Sequence, residues 1–544
     1  MNRADLAAVV VILGVAVLMA GPGIATGGLG WSDAPNHVFD GIFVLEFIKD
    51  WPLGHAREWA EQFYLRFPAL GIFVYYPPGF AAIEAAIFAI VGVNIFSARL
   101  AILCFAAGAA WMMYFLGRRW FDRPTGLLSA LLLLTCPHGF LWMNDVMLEW
   151  PAMFWMLAST YCYQRFLDLP RARWAAGLAA VLVMAFMTKQ TTGFILPVIV
   201  THAAIISLQK SAGAQIRARL RSPAFVLSLG LAVAIIIAYV VASRRLTALP
   251  SQLLQISFDP FFYARHFPEI IGWPLLPVAV LGLLTLFFRR GRGVSLFVLL
   301  WFFAWLGFSS AISAKEPRYF FFALAPIAIV AVRFLLGNAF ERPLSWRRDR
   351  ARLALLGTLV LIQAVQARLM DTGPLPKYDG PVRELAGRQD ADLVLVDAVR
   401  DGQFVFDVYQ DKQARDRLIT LRASKVLFAR AARERYSYQQ FVHSSDDILA
   451  ILNKYSIRYI VIESAYPRTL YMDADPPPRK MLRELLTSDT RFRRIYAWPL
   501  TCGDPVWNGI ELCLYEYTAC PPRTSKFINL SFPAMGRDVT IQLP

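Results

Sequence analysis

A segment near the start of the chain gathers two aspartates and a histidine. It spans residues 31–40 and reads Trp-Ser-Asp-Ala-Pro-Asn-His-Val-Phe-Asp. Asp33 and His37 are four residues apart, so on a helix their side chains share one face. The segment follows the first apolar run, residues 6–19, and ionisable groups at the edge of a membrane are candidates for function. A carboxylate there can take a proton from an acceptor hydroxyl.

A second acidic stretch and a set of cations follow along the chain. The stretch at 144–149 reads Asn-Asp-Val-Met-Leu-Glu and contains Asp145 and Glu149. The cations, with one further histidine, lie in later connections: Lys189, Arg265, His266, Lys315 and Arg318. Carboxylates that face fixed cations suit the transfer of a group from a phosphate-linked donor. A base activates the acceptor, and the cations stabilise the departing phosphate.

Taken one at a time, the acidic residues also have structural explanations at helix ends. Asp33 can cap a helix whose first turn contains Pro35. Asp145 can cap the next apolar helix, and Glu149 can complement its N-terminus electrostatically. The sequence leaves these alternatives open.

The basic residues have structural explanations as well. Lys189 can extend from a span toward the interface, and His37 can pack against lipid head groups. Lys315, Glu316 and Arg318 can form a local ion pair at the start of a span. Their position on the outer side runs against the general charge bias, which favours a functional interpretation.

The composition predicts a polytopic membrane protein. Of 544 residues, 57% are hydrophobic and 17% are charged, with a mean hydropathy of +0.46, whereas soluble domains carry about a quarter charged residues. The net charge of +16 comes mainly from short loops between apolar runs, where basic residues set orientation. We therefore expect membrane lipids, and no nucleic acid, as partners.

The apolar runs predict eleven spans, at residues 5–22, 96–117, 124–141, 150–166, 173–188, 192–208, 223–243, 271–288, 294–311, 319–336 and 352–369. Loops rich in Lys and Arg alternate strictly with loops that contain few of these residues. Because basic loops favour the cytoplasmic side, this pattern predicts a cytoplasmic N-terminus and places residues after about 370 outside the cytoplasm. Residues 33–50, 55–68 and 77–93 are predicted to lie flat on the outer surface, because a further span would move every later basic loop outside. All candidate groups then collect on the outer face.

Residues 370–544 have the composition of a soluble α/β domain, separate from a membrane domain at 1–369. Strands are predicted at 393–397, 459–463, 494–498 and 511–517, and helices at 448–454 and 481–487. This alternation predicts a small, partly parallel sheet. Cys502, Cys513 and Cys520 have no metal-site spacing and allow one disulfide, with three pairings open.

Five short motifs occur in one order along the chain: Asp33-x-x-x-His37, Tyr76-Pro77-Pro78, Met147-Leu148-Glu149-x-Pro151, Thr188-Lys189 and Lys315-Glu316-Pro317-Arg318-Tyr319. Together they resemble the GT-C membrane glycosyltransferases. The most similar branch is the bacterial one of the protein O-mannosyltransferases and the lipid A aminoarabinose or galacturonic acid transferases. The resemblance covers residues 1–340, and the tail resembles the family's periplasmic domains only in kind.

The resemblance implies a mainly α, GT-C-like helical bundle in the bacterial inner membrane, with a periplasmic α/β domain. The activity implied is inverting transfer of a sugar from a polyprenyl-phosphate donor to a lipid, glycan or protein acceptor. It makes Asp33 the catalytic base, assisted by Glu149 with Asp145 close by. The donor phosphate would be held by Lys189, Lys315, Arg318 and Arg265, and the sugar or acceptor by His37, Tyr76 and His266.

Metal dependence differs within the family that the chain resembles. Some GT-C enzymes use a divalent cation such as Mg²⁺ or Mn²⁺, and others use none. Asp33, His37 and Glu149 are the residues of this chain that could bind one. The spacing does not require a cation, so no cofactor is certain.

Two other classes of protein remain alternatives. A transporter or lipid flippase usually has ionisable groups near the bilayer midplane and repeated halves. This sequence has its acidic groups at span ends and no internal repeat, with Glu84 the best candidate for an intramembrane carboxylate. The second alternative is a non-catalytic scaffold of envelope assembly, for which Asp33 would be dispensable.

Overall fold

The computed structural model describes residues 2–73, 75–208, 213–244, 256–288, 293–313, 315–336, 350–370, 375–430, 438–467, 475–500, 502, 504–532 and 537–543. Its α-helices up to residue 370 are, in chain order, α1 (Arg3–Ala20), α2 (Ala34–Asp50), α3 (Ala56–Arg66), α4 (Gly79–Val91), α5 (Ile95–Trp120), α6 (Arg123–Thr135), α7 (Pro137–Met143), α8 (Glu149–Asp168), α9 (Ala172–Thr188), α10 (Ile195–Ser207), α11 (Gly213–Leu220), α12 (Pro223–Arg244), α13 (Pro260–Ile271), α14 (Leu276–Phe288), α15 (Val294–Ala311), α16 (Leu324–Leu335) and α17 (Arg350–Leu369). Turns of 3-10 helix lie at Pro22–Ala25, Gln190–Phe194 and Pro317–Ala323.

The chain is a multi-pass membrane protein. Within the described ranges, seven helical segments are long and apolar enough to cross a membrane: Arg3–Ala20, Ile95–Trp120, Gln190–Ser207, Pro223–Arg244, Val294–Ala311, Pro317–Leu335 and Arg350–Leu369. Helices α6 and α7 make an eighth if they count as one span bent by 65°. The other predicted spans are present as α8, α9 and α14, which do not meet the same length and hydropathy criteria.

Two predicted spans differ in detail from the observed helices. The expected continuous helix at 124–141 breaks between α6 and α7, where Pro137 begins a new helix. Proline in a helix interior removes a hydrogen bond and clashes with the preceding turn. The span expected at 271–288 begins later, at Leu276, because Gly272 adopts a φ of +88° and ends α13. Helices α2, α3 and α4 are present where three helices were expected to lie flat on the outer surface, and their orientation to the membrane stays a prediction.

Helix α5 lies at the centre of the membrane part. Its N-terminus is fixed by a capping box in which Asn94 and Ser97 each bond the other's backbone. Helix α5 packs against α6 and α8 and also contacts α4. Helix α4 packs in turn against α2, the helix that follows Asp33. The bundle core thus supports the outer helices that hold the candidate residues.

The C-terminal part of the chain, which the sequence predicts to be a soluble domain, has α-helices α18 (Asp379–Ala386), α19 (Asp401–Gln410), α20 (Lys412–Arg417), α21 (Ala423–Val426), α22 (Ser445–Tyr455) and α23 (Pro477–Ser488). Its strands are β1 (Leu393–Asp397), β2 (Ile419–Arg422), β3 (Phe428–Arg430), β4 (Tyr438–Gln440), β5 (Tyr459–Glu463), β6 (Phe492–Pro499), β7 (Glu511–Tyr517), β8 (Phe527–Phe532) and β9 (Arg537–Gln542). A 3-10 turn lies at Pro505–Trp507.

These strands form one main sheet and two hairpins within the described part of the tail. The five-stranded sheet has the order β2-β1-β5-β7-β6, in which β1, β2 and β5 are parallel and β6 and β7 are antiparallel additions. The hairpins are β3–β4 and β8–β9. Apolar residues of α22 and α23 cover one face of the main sheet, and those of α18 and α19 cover the other. The expected mixture of helices and a partly parallel sheet is confirmed. The six cysteines of the chain are all free thiols.

Candidate active site

Asp33 lies at the N-terminal end of α2, where Pro35 favours the start of a helix. Its side chain makes no capping hydrogen bond to that helix. The carboxylate instead accepts a hydrogen bond of 2.9 Å from the guanidinium of Arg318. The structure therefore directs Asp33 toward a cation from a distant part of the chain, and the capping alternative is not observed.

Arg318 is held in the 3-10 turn at Pro317–Ala323 by charges and aromatic rings. Its guanidinium forms an ion pair with Asp33 and a second one of 2.5 Å with Glu316. It also lies 5.5 Å from the ring centroid of Trp31 and 5.4 Å from that of Tyr319. Such contacts attract a cation to the ring face. The local pair with Glu316 is present, but it does not replace the contact with Asp33.

Glu149 and Lys189 form a second pair of opposite charges. Glu149 begins α8, Lys189 follows α9, and the ammonium donates a hydrogen bond of 2.5 Å to the carboxylate. The Glu149 side chain is fully buried, whereas 22% of the Asp33 side chain is exposed. Within the described residues, the second carboxylate oxygen of Glu149 has no hydrogen-bond partner. Of the two carboxylates, only Asp33 is open to a substrate.

His37 joins the two pairs into one site. It lies one turn along α2 from Asp33, and its ring packs on that of Tyr76 with centroids 4.3 Å apart. Burial is the main cause that lowers the pKa of His37 to about 4. The nearby carboxylates of Asp33 and Glu149 oppose this change only in part. His37 is thus a neutral side chain among four charged ones at neutral pH.

The charge state of Asp33 is set by two opposing effects. Burial raises the pKa of its carboxyl group, but the charge of Arg318 and the hydrogen bonds from Arg318 and Tyr76 lower it more. The net result is a pKa below the usual 3.8. Asp33 is therefore ionised at neutral pH and ready to accept a hydrogen bond from a hydroxyl group.

Tyr76 is placed by Asp40, the second aspartate of the first segment. The Asp40 carboxylate accepts hydrogen bonds from the backbone N–H groups of Gly71, at 2.8 Å, and Ile72, at 2.7 Å. The turn that carries Tyr76 follows directly, and a Cβ atom at Gly71 would lie 2.7 Å from the Tyr76 ring. Asp40 thus anchors this turn, and Tyr76 closes a narrow crevice beside His37.

The Asp145 carboxylate binds backbone N–H groups and does not contact the two charged pairs. Its carboxylate accepts hydrogen bonds from the N–H groups of Gly30 (3.1 Å), Trp31 (2.6 Å) and Val146 (2.9 Å). The first two precede Asp33 in the chain. The sequence grouped Asp145 with Glu149 as a catalytic residue, but its oxygens already serve as acceptors for the segment that leads to Asp33.

Three other residues from the sequence prediction lie in different surroundings. The Lys315 ammonium donates to the carbonyl groups of Ser257, Ser310 and Ile312, at 2.5, 2.8 and 2.5 Å. Two neighbours on α13 lie elsewhere: Arg265 is 68% exposed and pairs with Asp259, and His266 bonds the carbonyl of Phe262. Part of their loop, residues 245–255, lies outside the described residues.

Trp31 contributes to the site in a way that the sequence did not predict. Its aromatic character suggested a place in the interfacial belt, but its ring faces Arg318 and the edge of Trp142, at centroid distances of 5.5 and 5.3 Å. The proximity of Trp31 to Asp33 in the sequence was the available signal. Its partners, from α7 and the Pro317 turn, could not be read from that spacing.

The residues predicted as metal ligands do not fit a metal ion as they are arranged. Asp33 and Glu149 each contact a cationic side chain, Arg318 and Lys189 respectively. Across the described ranges, no three His, Cys, Asp or Glu side chains converge in a way that could hold a metal. We therefore derive no step through a metal ion.

Comparison with known proteins shows what part of the chain and its fold are similar to. Residues 76–243 match the family model described as dolichyl-phosphate-mannose-protein mannosyltransferase. The crystal structure of ArnT from Cupriavidus metallidurans in the apo state superposes with a TM-score of 0.59 at 14% identity, covering 95% of this chain and 99% of that one. The chain has the GT-C glycosyltransferase fold. The archaeal oligosaccharyltransferase AglB from Archaeoglobus fulgidus shares this GT-C fold, with a TM-score of 0.52 at 12% identity over 85% of this chain and 69% of that one.

A relative also matches this chain in sequence. The undecaprenyl phosphate-alpha-4-amino-4-deoxy-L-arabinose arabinosyl transferase 1 of Pseudomonas fluorescens is 29% identical over 305 residues. That match spans 50% of this chain and 51% of the relative, so it covers about half the length of each protein. The region that matches the family model, residues 76–243, includes Glu149 and Lys189, whereas Asp33 and Arg318 lie on either side of it.

Proposed function

We propose that the protein is an inverting glycosyltransferase that moves a sugar from a polyprenyl phosphate to a hydroxyl acceptor. The observation that carries this proposal is the meeting of Asp33 with Arg318 beside the Glu149–Lys189 pair. A partly open carboxylate and two fixed cations are what such a transfer requires of the protein.

In the proposed reaction Asp33 accepts the proton of the acceptor hydroxyl. The acceptor oxygen forms a bond to the anomeric carbon, and the bond from that carbon to the phosphate oxygen breaks. The leaving polyprenyl phosphate takes the electron pair, and Arg318 and Lys189 stabilise the negative charge that develops on it. Attack from the face opposite the leaving group inverts the anomeric carbon. Glu149 keeps Lys189 in place through their 2.5 Å contact.

The names of similar proteins support the choice of donor. The Pseudomonas relative is named as a transferase of a sugar carried on undecaprenyl phosphate. A second structure of ArnT contains undecaprenyl phosphate, and the AglB structure contains a dolichol-phosphate. We assign this chain a donor of the same chemical class, with its polyprenyl tail among the apolar helices.

The site is assigned to the outer face of a bacterial inner membrane. The basic loops of the sequence place the N-terminus in the cytoplasm and the domain after residue 370 in the periplasm. Asp33 and Arg318 both lie on the outer side in this topology. The acceptor is a hydroxyl or an equally nucleophilic group of a lipid, glycan or protein, and the sugar is a pentose or hexose.

A panel of donors tests this function. The purified full chain in lipid nanodiscs is incubated with undecaprenyl-phosphate sugars and a mixed acceptor extract, and mass spectrometry follows the donor. We expect loss of the sugar and release of free undecaprenyl phosphate for at least one donor. The same sugars on undecaprenyl diphosphate serve as a control for the monophosphate leaving group.

The same experiment addresses the transport alternative. Reconstituted vesicles are loaded with the donors, and their two leaflets are analysed separately. Movement of intact donor between leaflets, with no release of free lipid phosphate under any acceptor condition, would contradict the transferase proposal.

A further inference from the structure

The soluble domain rests directly on the helix that begins after Asp33. A Cβ atom at Gly402, in the first turn of α19, would lie 2.7 Å from the Cβ atom of Pro35 in the first turn of α2. Further along α19, the rings of Phe406 and Tyr409 pack against Phe39 of α2, with centroids 6.5 and 5.9 Å away. Both residues are buried in the core of the membrane part. Helix α19 is therefore packed along α2.

The same turn of α19 also holds the backbone that leads to Asp33. The buried side chain of Gln403 accepts a hydrogen bond of 2.6 Å from the N–H group of Leu29. A Cβ atom at Gly28 would lie 3.0 Å from that side chain and 2.6 Å from the carbonyl oxygen of Pro376. Glycine is thus needed for the segment to approach the soluble domain this closely.

Every N–H group from Gly28 to Trp31 is bound by a residue outside the segment. The carbonyl of Leu375 accepts from Gly28 at 2.8 Å, and Gln403 accepts from Leu29. Asp145 accepts from Gly30 and Trp31. Because the segment has no helix or strand of its own, these contacts define its path to Asp33. Half of them come from the soluble domain.

The amide of Gln403 is itself oriented by a second contact. Its Nε2 donates a hydrogen bond of 2.9 Å to Asp407, whose other oxygen accepts from the N–H group of Tyr378 at 2.6 Å. With the amine end bound to Asp407, the carbonyl end faces Leu29. A chain of hydrogen bonds thus runs from the interior of the soluble domain to the segment before the candidate base.

We infer that Gln403 and Gly402 of the soluble domain are positioning residues for Asp33. This inference rests on the proposed transferase function and adds to it a role for the periplasmic domain in the chemical step. Gln403 fixes the path of the segment that leads to Asp33, and Gly402 fixes the first turn of α2. The domain then supports the base itself.

The effect of losing Gln403 is predicted to fall on kcat. Gln403→Met keeps a side chain of similar length but leaves the buried N–H group of Leu29 without its acceptor. We expect kcat to fall on the order of tenfold, because a small displacement of a reacting group is costly, while the donor KM stays within about twofold. The matched control is Gln440→Met, which removes a side-chain contact to the carbonyl of Val442 elsewhere in the same domain.

A pH profile separates positioning from a general loss of structure. In Gln403→Glu an oxygen remains for the N–H group of Leu29, but the new carboxyl group faces Asp407, whose pKa burial raises to about 7. Two facing carboxyl groups share a proton until the pH exceeds their raised pKa, and above that pH the two negative charges repel each other. We expect this variant to keep a higher fraction of wild-type kcat at acidic pH and to lose it as the pH rises.

Gly402 supplies a second and independent substitution. Gly402→Ala would force a methyl group against Pro35, whereas Gly387→Ala, in the same domain, meets its nearest neighbour at an ordinary 3.5 Å. We expect kcat to fall in Gly402→Ala and to stay at the wild-type level in Gly387→Ala.

Hydrogen exchange of the full chain tests the geometry without turnover. The amides of residues 28–33 should exchange faster in Gln403→Met than in the wild type or in Gln440→Met. If the wild type consumes no donor, the transferase function fails while the exchange result still decides whether Gln403 holds the segment. If the wild type is active, an unchanged kcat in Gln403→Met, or unchanged exchange at these amides, overturns the positioning role.

Discussion

Asp33 and Arg318, which are 285 positions apart in the sequence, meet in a hydrogen-bonded ion pair of 2.9 Å. The guanidinium is shared with Glu316, so a donor phosphate that approaches it competes with two carboxylates. In the proposed reaction, phosphate binding weakens the hold of Arg318 on Asp33 and leaves that carboxylate for the acceptor. The pair thus links donor binding to the readiness of the base.

The shape of the Arg318 side chain should matter as well as its charge. Arg318→Lys keeps a positive charge but cannot contact two carboxylates with one planar group or lie over the rings of Trp31 and Tyr319 in the same way. We expect the donor KM to rise about tenfold or more in steady-state assays. Arg265→Lys, at an exposed position on α13, is the matched control and should leave KM unchanged. Equal effects in both variants would argue against a phosphate contact at Arg318.

Glu149 and Lys189 should behave as a coupled pair in unfolding experiments. Removing one partner of a buried ion pair leaves an uncompensated charge and costs about 3 kcal/mol or more. We expect Glu149→Gln and Lys189→Met each to lower the free energy of unfolding in a detergent titration. In the double variant the free energy of unfolding should fall by clearly less than the sum of the two single decreases. Additive losses would indicate that the two side chains do not interact.

His37 should make the stability of the protein depend on pH. Its pKa falls from 6.5 to about 4 on folding, so between these values the unfolded chain binds a proton that the folded protein does not. The contribution of His37 to the free energy of unfolding is therefore fully present above about pH 6.5. It decreases as the pH falls toward 4, by an amount on the order of 3 kcal/mol.

The measurement that tests the role of His37 is the free energy of unfolding as a function of pH. His37→Gln should flatten the decrease below neutral pH, whereas His55→Gln, at an exposed histidine, should keep the wild-type slope. A slope that is equally steep in His37→Gln would assign the pH dependence to other groups.

Asp145 and Asp33 should respond differently to the same substitution. Asp145→Asn keeps one oxygen, which can still accept from the N–H groups of Gly30 and Val146, and loses only the acceptor of Trp31. We therefore expect kcat to fall by no more than about tenfold. Asp145→Leu removes all acceptors and should be far more damaging to both kcat and stability. Loss of activity in Asp145→Asn as severe as in Asp33→Asn would instead support proton transfer by Asp145.

The sequence predicted the architecture well where the signal was local. Apolar runs of bilayer length located the helices, and the β-branched runs at 393–397 and 459–463 became neighbouring strands of the sheet. The break at Pro137 was also encoded locally but was masked by the apolar residues around it. Helix α19 was not predicted, because its apolar residues are divided between the sheet and the membrane part.

The candidate site was only partly predictable for a related reason. Asp33, Glu149, Lys189 and Arg318 carry charges at span ends, and the spacing of the spans suggested one common face. Nothing in the spacing could distinguish Arg318, which reaches Asp33, from Lys315 three positions earlier, which binds backbone carbonyl groups. That choice depends on the direction of each side chain, which tertiary packing sets. The same holds for Gln403, whose partner Leu29 is 374 positions away.

The most direct test of the central claim is the turnover of Asp33→Asn in the donor assay. The substitution keeps the volume of the side chain and removes the ability to accept a proton. We expect the rate of release of undecaprenyl phosphate to fall on the order of 10³-fold, the size typical of a lost general base, while donor binding is retained. Asp259→Asn, at a partly exposed aspartate that contacts Arg265, should turn over at the wild-type rate. An Asp33→Asn protein that folds and releases undecaprenyl phosphate as fast as the Asp259→Asn control would contradict the account.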